Sequence, residues 1–79
     1  MFYTYVLRCA DGDLYVGSTR NLRKRVAQHQ AGQVQTTASR LPITLEYYEA
    51  CHSEIGARRR ETQLKTGFGR AYLKRRLGP

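Results

Sequence analysis

Acidic residues are scarce in this sequence. Six Asp and Glu stand against 14 Lys and Arg in 79 residues, which gives a formal net charge of +8 at pH 7. Only one of the six, Glu61, falls on an inward-facing position, which argues against a site in which several bridging Asp and Glu hold two metal ions. A chain this basic is instead expected to bind a polyanion.

Long apolar runs are missing, and Trp does not occur. A membrane-spanning helix needs about 20 apolar residues. The basic segments also lack the Trp-, Phe- and Leu-rich opposite face of a helix that lies on a membrane. Nucleic acid is therefore the expected polyanion, and no membrane partner is expected. The first residues, MFYTYVLRCADGD, lack the basic region and cleavage site of a signal peptide, so we expect a cytoplasmic protein.

Cysteine occurs only twice, as Cys9 and Cys51. In the cytoplasm both thiols are expected to be reduced, and both end strand-like apolar runs, as small buried side chains do. No Cys-x-x-Cys or His-x₃-His pair is present, and adjacent Cys51 and His52 point to opposite faces of a strand, which argues against zinc. A serine hydrolase is not expected either, because the nucleophile-elbow glycine pattern is absent.

The local patterns predict an α+β fold in the order ββαβαα, with a three-stranded, mainly antiparallel sheet flanked by helices. Residues 1–79 have room for one domain only. Thr19 or Asn21 is the predicted cap of the first helix and Ser53 that of the second, and GFGR at 67–70 is interpreted as a break before the third. The predicted elements are strands over 2–9, 14–19 and 43–51, helices over 21–32, 54–66 and 69–77, and a polar loop over 33–42.

The first helix places charged side chains on its apolar side. At 100° per residue, Arg25 and His29 fall on the same arc as the apolar residues, whereas Arg23 and Lys24 fall on the solvent side. A cation on the apolar stripe needs an anion, a ligand or water. Taken alone, this helix favours a snorkelling arginine and a hydrogen-bonded core histidine.

The second helix carries Glu61 within its apolar stripe, between Ala57 and Leu64. A carboxylate there must be paired with a cation, bound to a metal or protonated. Arg25 could be a structural partner, and the residues alone leave the ion pair and the metal site equally open. One Mg²⁺ ion, held by one carboxylate with water and phosphate oxygens, is feasible.

The length of the predicted hairpin loop decides whether Tyr5 and Tyr15 face the same side of the sheet. With an odd number of loop residues, such as a three-residue turn with Gly12 in the left-handed conformation, Tyr5, Tyr15 and Gly17 project to one face. An even loop separates the two tyrosines. Gly17 also suggests that another group approaches the strand backbone closely there.

Basic residues are concentrated near the end of the chain, where residues 58–79 carry eight Lys and Arg against one acid. Such a cluster is typical of a surface that binds phosphates. Together with the basic side of the first helix, it supplies most of the candidate nucleic-acid contacts. These are Gly17, Arg23, Lys24, Arg40, Arg58, Arg59, Lys74 and Arg75.

The strands YTYVL and YVG, followed by Arg25, His29 and a helical Glu61, closely resemble the GIY-YIG nuclease domain. The chain is similar in particular to the small single-domain bacterial proteins of the UPF0213 group, through YVGSTRNLRKRVAQHQAG, RLPITLEYYE and ARRRETQLK. The similarity covers nearly the whole chain, although Tyr3-Thr4-Tyr5 stands in place of Gly-Ile-Tyr. It implies the GIY-YIG endonuclease fold.

The resemblance also implies a metal-dependent phosphodiesterase that acts on nucleic acid. The sequence does not specify DNA or RNA, and DNA is the favoured expectation. Tyr5 and Tyr15 would form a water-activating and phosphate-facing pair, and Arg25 would stabilise the transition state. His29 would assist proton transfer or substrate positioning, and Glu61 would hold one divalent ion, Mg²⁺ or Mn²⁺.

One residue departs from the family pattern. Many family nucleases have an Asn about a dozen residues after the metal-binding Glu, and this chain has Leu73 there. Altered or absent activity therefore stays open, as do two alternatives on the same fold. One is a noncatalytic nucleic-acid-binding module, and the other is an interaction module that depends on a protein partner for specificity.

Overall fold

Three antiparallel strands form one sheet in the computed structural model, which describes residues 1–78. The strand order is β2-β1-β3, so that β2 lies at an edge of the sheet. This arrangement confirms the predicted α+β architecture and its element order. The elements are β1 (Phe2–Arg8), β2 (Leu14–Thr19), α1 (Leu22–Gln30), a 3₁₀ helix (Ala38–Arg40), β3 (Thr44–Cys51), α2 (Glu54–Leu64) and α3 (Gly67–Leu77).

The hairpin between β1 and β2 has the odd loop on which the face of the tyrosines depends. The Cys9 N–H donates to the Asp13 carbonyl at 2.9 Å, which leaves residues 10–12 as a three-residue loop. Gly12 has a φ of 87°, a value in the left-handed region that glycine adopts without strain. Tyr5 pairs with Gly17 across the strands, and Tyr15 joins them on the same face, as predicted for this loop.

The sheet separates two apolar cores. We call its sides the α1 face, which carries the odd-numbered residues of β1 and β2, and the α2–α3 face, which carries the even-numbered ones. Helices thus cover both sides of the sheet. The α1 face packs Tyr5, Leu7 and Cys9 with Val26 and Ile43, and the α2–α3 face packs Val6 and Val16 with Leu64 and Leu73.

Polar side chains set the helix boundaries. Asn21 is the cap of α1 and accepts from the Lys24 N–H, and Ser53 caps α2 as predicted. Thr66 caps α3, which begins at Gly67, so the break between the helices precedes the GFGR segment instead of lying in it. Phe68 consequently leaves the apolar stripe of α2 and is 91% exposed.

Candidate functional site

Tyr5, Tyr15 and His29 pack their rings together on the α1 face. The ring centroids are 6.5 Å apart for the two tyrosines, 5.6 Å for Tyr5 and His29, and 5.1 Å for Tyr15 and His29. Tyr5 and His29 are essentially fully buried, whereas Tyr15 is half-buried. The Tyr5 hydroxyl lies 2.9 Å from His29 Nε2, so the first strand and the first helix are joined by a buried hydrogen bond.

Thr37 completes this hydrogen-bonded chain. Its Oγ1 lies 2.7 Å from His29 Nδ1 and 3.5 Å from the Val34 carbonyl. Because a carbonyl only accepts, we assign the Thr37 proton to that contact, and its oxygen then accepts from Nδ1–H. His29 Nε2 is left as the acceptor for the Tyr5 hydroxyl. Sequence reasoning missed Thr37, because one threonine in a polar loop carries no signal of burial.

Burial keeps both members of the Tyr5–His29 pair uncharged. It lowers the pKa of His29 below its ordinary value, and the positive charge of Arg25 adds to that effect. Burial also raises the pKa of Tyr5, and the nearby guanidinium of Arg25 only partly offsets this. In the free protein at neutral pH, Tyr5 is therefore a protonated donor and His29 a neutral acceptor.

Gly17 lies directly beneath the Tyr5 ring. A Cβ atom at this position would stand 2.5 Å from the Tyr5 hydroxyl oxygen, closer than unbonded atoms approach. The group that comes close to the strand backbone is therefore Tyr5 itself. The prediction that Gly17 contacts nucleic acid stays a prediction, and it now concerns the backbone of Gly17, since Tyr5 fills the space above its Cα.

Arg25 is half-buried at the edge of the aromatic cluster. Its guanidinium donates to Gln28 at 3.3 Å and has no carboxylate partner among residues 1–78. Arg25 also lines a shallow cleft of about 390 Å³ together with Ser18 and Lys24. An arginine in this position can offer its remaining N–H groups to an anion that enters the cleft.

Glu61 approaches the end of β2 from the α2–α3 face. Its Oε1 accepts from the Ser18 hydroxyl at 2.7 Å, and its Oε2 pairs with Lys65 Nζ at 2.7 Å. The predicted alternative of a structural pair with Arg25 is therefore wrong, since Lys65 is the counter-ion. Burial raises the pKa of Glu61, but the hydrogen bonds from Lys65 and Ser18 outweigh it and lower the pKa overall.

The donor set around Glu61 fits a magnesium ion with few protein ligands. Residues 1–78 hold no cluster of three or more His, Cys, Asp or Glu side chains. Mg²⁺ is commonly bound through one or two carboxylates, with waters and substrate phosphates as its other ligands. The Glu61 side chain is 24% exposed, and Oε2 already binds a cationic group. A single ion on Glu61 thus agrees with the chemistry of the residues present.

Strand β2 joins the two halves of the site. Tyr15 and Gly17 project to the α1 face, and Ser18 projects to the α2–α3 face, where it contacts Glu61. Because β2 is an edge strand, no other strand of the sheet covers its outer side. The aromatic cluster and the carboxylate are therefore neighbours although they belong to different cores.

Every acidic side chain of the protein has a basic partner. Arg40 pairs with Asp11 at 3.6 Å and with Asp13 at 3.5 Å, and its side chain is 26% exposed. The hairpin loop thus offsets the charge of Arg40, and its predicted contact with nucleic acid stays a prediction. Arg58 pairs with Glu54 at 3.4 Å but stays well exposed. The remaining pairs are Arg8–Glu46, Arg60–Glu49 and Lys65–Glu61.

The other basic side chains give the surface its positive potential. None of them has a carboxylate partner within the described part of the chain, and most are exposed. They are Arg20, Arg23, Lys24, Arg25, Arg59, Arg70, Lys74, Arg75 and Arg76. No helix among residues 1–78 has the length and apolar character needed to cross a bilayer.

Tyr47 and Tyr72 lie on the opposite side of the sheet from Tyr5. Their hydroxyl oxygens are 3.2 Å apart, and the Arg60 guanidinium lies 5.1 Å from the Tyr72 ring centroid. Arg60 also forms a two-pronged contact with Glu49. These side chains fasten β3 to the two C-terminal helices and do not reach the candidate site.

Both cysteines are free thiols. Cys9 is buried in the core of the α1 face, as expected for a small apolar side chain. Cys51 is half-buried, and its thiol donates to the Ser53 carbonyl at 3.1 Å, just before α2 begins. Neither thiol belongs to the site along β2.

Comparisons with known proteins point to one family and one fold. A family model described as the GIY-YIG catalytic domain matches residues 1–76. A UPF0213 protein of Halobacterium salinarum is 41% identical over 66 residues, which cover 82% of this chain and 86% of that protein. A UPF0213 protein of Staphylococcus haemolyticus is 42% identical over 65 residues, or 81% and 79% of the two chains. The solution NMR structure of a UPF0213 protein from Bacillus halodurans matches with a TM-score of 0.60 and 31% identity, over 100% of this chain and 89% of that one.

Proposed function

Because the chain belongs to the GIY-YIG family of nuclease domains, we propose that it is a metal-dependent endonuclease that hydrolyses phosphodiester bonds with one divalent ion. Residues 1–79 form a single catalytic domain, and DNA is its substrate in preference to RNA. The ion is Mg²⁺ or Mn²⁺, and the protein acts in the cytoplasm. A protein partner that supplies specificity is compatible with this role.

One observation carries the proposal. A solvent-accessible guanidinium without a carboxylate partner among residues 1–78, that of Arg25, lies on one side of strand β2, and the carboxylate of Glu61 lies on the other. A phosphodiester bound along β2 would have positive charge on one side and a ligand for its metal ion on the other. Arg25 would neutralise the charge that develops on the equatorial phosphate oxygens.

The buried pair supplies a path for the proton of the attacking water. Tyr5 is 1% exposed in the free protein, so this path requires that substrate binding admits water to its hydroxyl. The water proton then moves to the Tyr5 oxygen as the Tyr5 proton moves to His29 Nε2. The water oxygen bonds to phosphorus, and the sugar oxygen leaves with the electron pair of the broken P–O bond and takes a proton from solvent. Tyr15 is less buried and faces the phosphate. A metal ion bound to Glu61 would stabilise the charge of the leaving oxygen.

The proposed activity is tested with a cleavage screen. Single-stranded, duplex and branched DNA and RNA are incubated with the protein in Mg²⁺, in Mn²⁺ and in chelator. Internal cleavage that requires the metal is expected, with DNA cleaved faster than RNA. Binding without cleavage of any substrate contradicts the proposal and favours the binding module, whereas cleavage only after a cell extract is added indicates a required partner.

A noncatalytic binding module remains the second candidate because of Leu73. This residue replaces the family Asn and is fully buried, in contact with the core of the α2–α3 face. It offers no polar group to a substrate. The site of this chain must therefore function without that amide, or not function in cleavage at all.

Substitution of Thr37 by valine is expected to slow cleavage about 10- to 100-fold, the range seen when a hydrogen bond that orients a functional imidazole is removed. Valine fills the same space but leaves Nδ1–H of His29 without an acceptor. The free energy of unfolding is also expected to fall by about 1–3 kcal/mol, because the buried Nδ1–H group of His29 is left unpaired. Thr37→Ser restores the hydroxyl, and the two variants are compared by initial rate and by denaturant titration.

The pH profile separates an orienting role of Thr37 from a merely structural one. His29 must be neutral to accept from Tyr5, so the wild-type rate falls as the pH drops, with a midpoint below the ordinary histidine value of about 6.5. Neutral His29 also contributes to the stability of the folded protein. This contribution is complete above a pH of about 6.5, the ordinary histidine value, and is lost as the pH falls from there toward the lowered pKa of His29. Thr37→Val should shift the midpoint of this fall in rate at low pH. An unchanged midpoint would contradict the proposed proton transfer from Tyr5 to His29.

Binding to nucleic acid is expected to weaken steeply with salt. Arg58, Arg59, Lys74 and Arg75 are all exposed, and replacing them together with glutamine removes four positive charges. The slope of log K against log salt on duplex DNA should shrink by about 0.9 for each side chain that contacts a phosphate. Fluorescence anisotropy at several salt concentrations measures the slope, and an unchanged slope would show that binding occurs elsewhere.

A further inference from the structure

A groove between β2 and α3 adjoins Glu61 on the side away from Arg25. It encloses about 540 Å³, within the range of about 300–1,000 Å³ that is usual for ligand sites. Leu14, Val16 and Leu77 contribute its apolar lining. We call it the α3 groove. The proposed reaction makes no use of it.

The charged side chains of the α3 groove favour an anion. Arg70 and Lys74 line it and have no carboxylate partner in the described residues. Asp13 also lines it, but this carboxylate is already paired with Arg40. A phosphate group in the groove would thus meet free positive charge on α3.

Lys65 belongs both to the groove and to the candidate metal site. Its side chain lines the α3 groove, while its Nζ pairs with Glu61 Oε2 at 2.7 Å. Lys65 stands just after the end of α2, its side chain is 51% exposed, and four methylene groups allow its ammonium to move. An exposed pair of this kind is weak, so a divalent cation can displace it from the same oxygen.

We propose that Lys65 has two positions, an inference that rests on the assignment of Glu61 as the metal ligand in the proposed function. Without metal, Lys65 neutralises Glu61. When a divalent ion takes Oε2, Lys65 turns into the α3 groove and binds a backbone phosphate of the nucleic acid beside Arg70 and Lys74. The α3 groove is then the binding site for the chain that flanks the scissile bond, and it is complete only in the metal-bound protein.

This arrangement couples two binding events. The metal ion must displace Lys65, so the bare protein binds metal less tightly than it would without this lysine. Once displaced, the ammonium adds one phosphate contact, so nucleic acid binds more tightly to the metal-bound form. By linkage, nucleic acid that holds Lys65 in the groove strengthens metal binding by the same factor.

The test compares Lys65→Met with Lys74→Met, which removes the same charge from the same groove at a position that forms no pair with Glu61. Affinity for Mn²⁺, measured from the EPR signal of the free ion, is expected to rise about two- to fivefold in Lys65→Met, as for loss of an exposed ion pair. It should stay at the wild-type value in Lys74→Met. Unchanged Mn²⁺ affinity in Lys65→Met would overturn the proposal.

Nucleic-acid binding is measured with a labelled DNA duplex, in chelator and in Ca²⁺, which also takes oxygen ligands. In chelator, the salt slope of Lys65→Met should equal that of the wild type. In Ca²⁺ it should be smaller by about 0.9, the value of one phosphate contact. Lys74→Met should lower the slope in both conditions. If Lys65 contributes equally to the salt slope with and without Ca²⁺, the proposal of two lysine positions is contradicted.

Glu61→Gln provides an independent test without any metal. This substitution releases Lys65, so the variant should bind the duplex more tightly than the wild type in chelator. A second change, Lys65→Met, should then weaken binding in the Glu61→Gln background by a clearly larger factor than it does in the wild type. Additive effects of the two substitutions would overturn the proposal.

These measurements do not depend on cleavage. If the Lys65 variants behave as predicted but the protein cleaves no substrate, the two lysine positions stand and the proposed enzymatic function is wrong. If the protein cleaves with Mg²⁺ and needs Glu61, but the Lys65 variants do not behave as predicted, the proposed function stands and the inference about Lys65 is wrong.

Discussion

Replacement of Arg25 by alanine is expected to slow cleavage about a thousandfold or more, the usual loss for an arginine that stabilises a phosphoryl-transfer transition state. Affinity for nucleic acid should fall only slightly. Arg25 is half-buried and one of several cations without a carboxylate partner in residues 1–78, so most of the electrostatic attraction survives its removal. Single-turnover rates and anisotropy measured on the same substrate separate the two quantities.

Lys24→Ala is the matched control for Arg25. Lys24 precedes Arg25 on α1 and lines the same cleft, but it is exposed and lies outside the aromatic cluster. Its removal should weaken binding modestly and leave the rate of the bound complex nearly unchanged. If the two variants lose rate and affinity alike, Arg25 has no special part in catalysis.

The second large effect is expected at Glu61. Glu61→Gln should remove metal-dependent cleavage, because the amide no longer carries the charge that a magnesium ion requires. The free energy of unfolding in chelator should change by less than about 1 kcal/mol, since the lost ion partner is the exposed Lys65. A buried pair with Arg25 would have cost about 3 kcal/mol or more. Thermal unfolding and cleavage assays of the same preparations check both statements.

Glu54→Gln controls for the loss of an ion pair from the same helix. Glu54 pairs with Arg58 four residues later, just as Glu61 pairs with Lys65, but it lies in the first turn of α2 and does not contact Ser18. The free energy of unfolding of Glu54→Gln in chelator should be close to that of Glu61→Gln. Its cleavage rate should equal that of the wild type. Mg²⁺ should raise the unfolding temperature of the Glu54 variant but not that of the Glu61 variant, and equal responses would exclude Glu61 as the ligand.

Much of the fold was predictable because it depends on local patterns. Alternating β-branched and aromatic residues indicated the strands, and Gly12 in a short polar turn indicated the hairpin. The sequence left open whether its tyrosines share a face, because that depends on the length of the loop. Helical periodicity placed Arg25 and His29 toward the core. The start of α3 was misjudged because two glycines suggested a break, whereas Thr66 already caps the helix at Gly67.

The parts of the site that could not be predicted depend on contacts between distant residues. Thr37 meets His29 only because the loop after α1 folds back over the α1 face. Arg40 appeared free because nothing local shows that the hairpin acids reach it. Gly17 was correctly expected to meet a close neighbour, but only the folded sheet identifies that neighbour as Tyr5. Periodicity indicates which way a side chain points, not what it meets there.

The odd length of the hairpin loop restricts how this chain can evolve. Side chains alternate along a strand, so one residue inserted or deleted between Cys9 and Asp13 would reverse the faces of β2. Tyr15 would then move away from His29, and Ser18 away from Glu61, although every functional residue would still be encoded. Length changes in exposed turns are usually among the most tolerated mutations. In descendants of this protein, such changes are expected to survive mainly in steps of two residues.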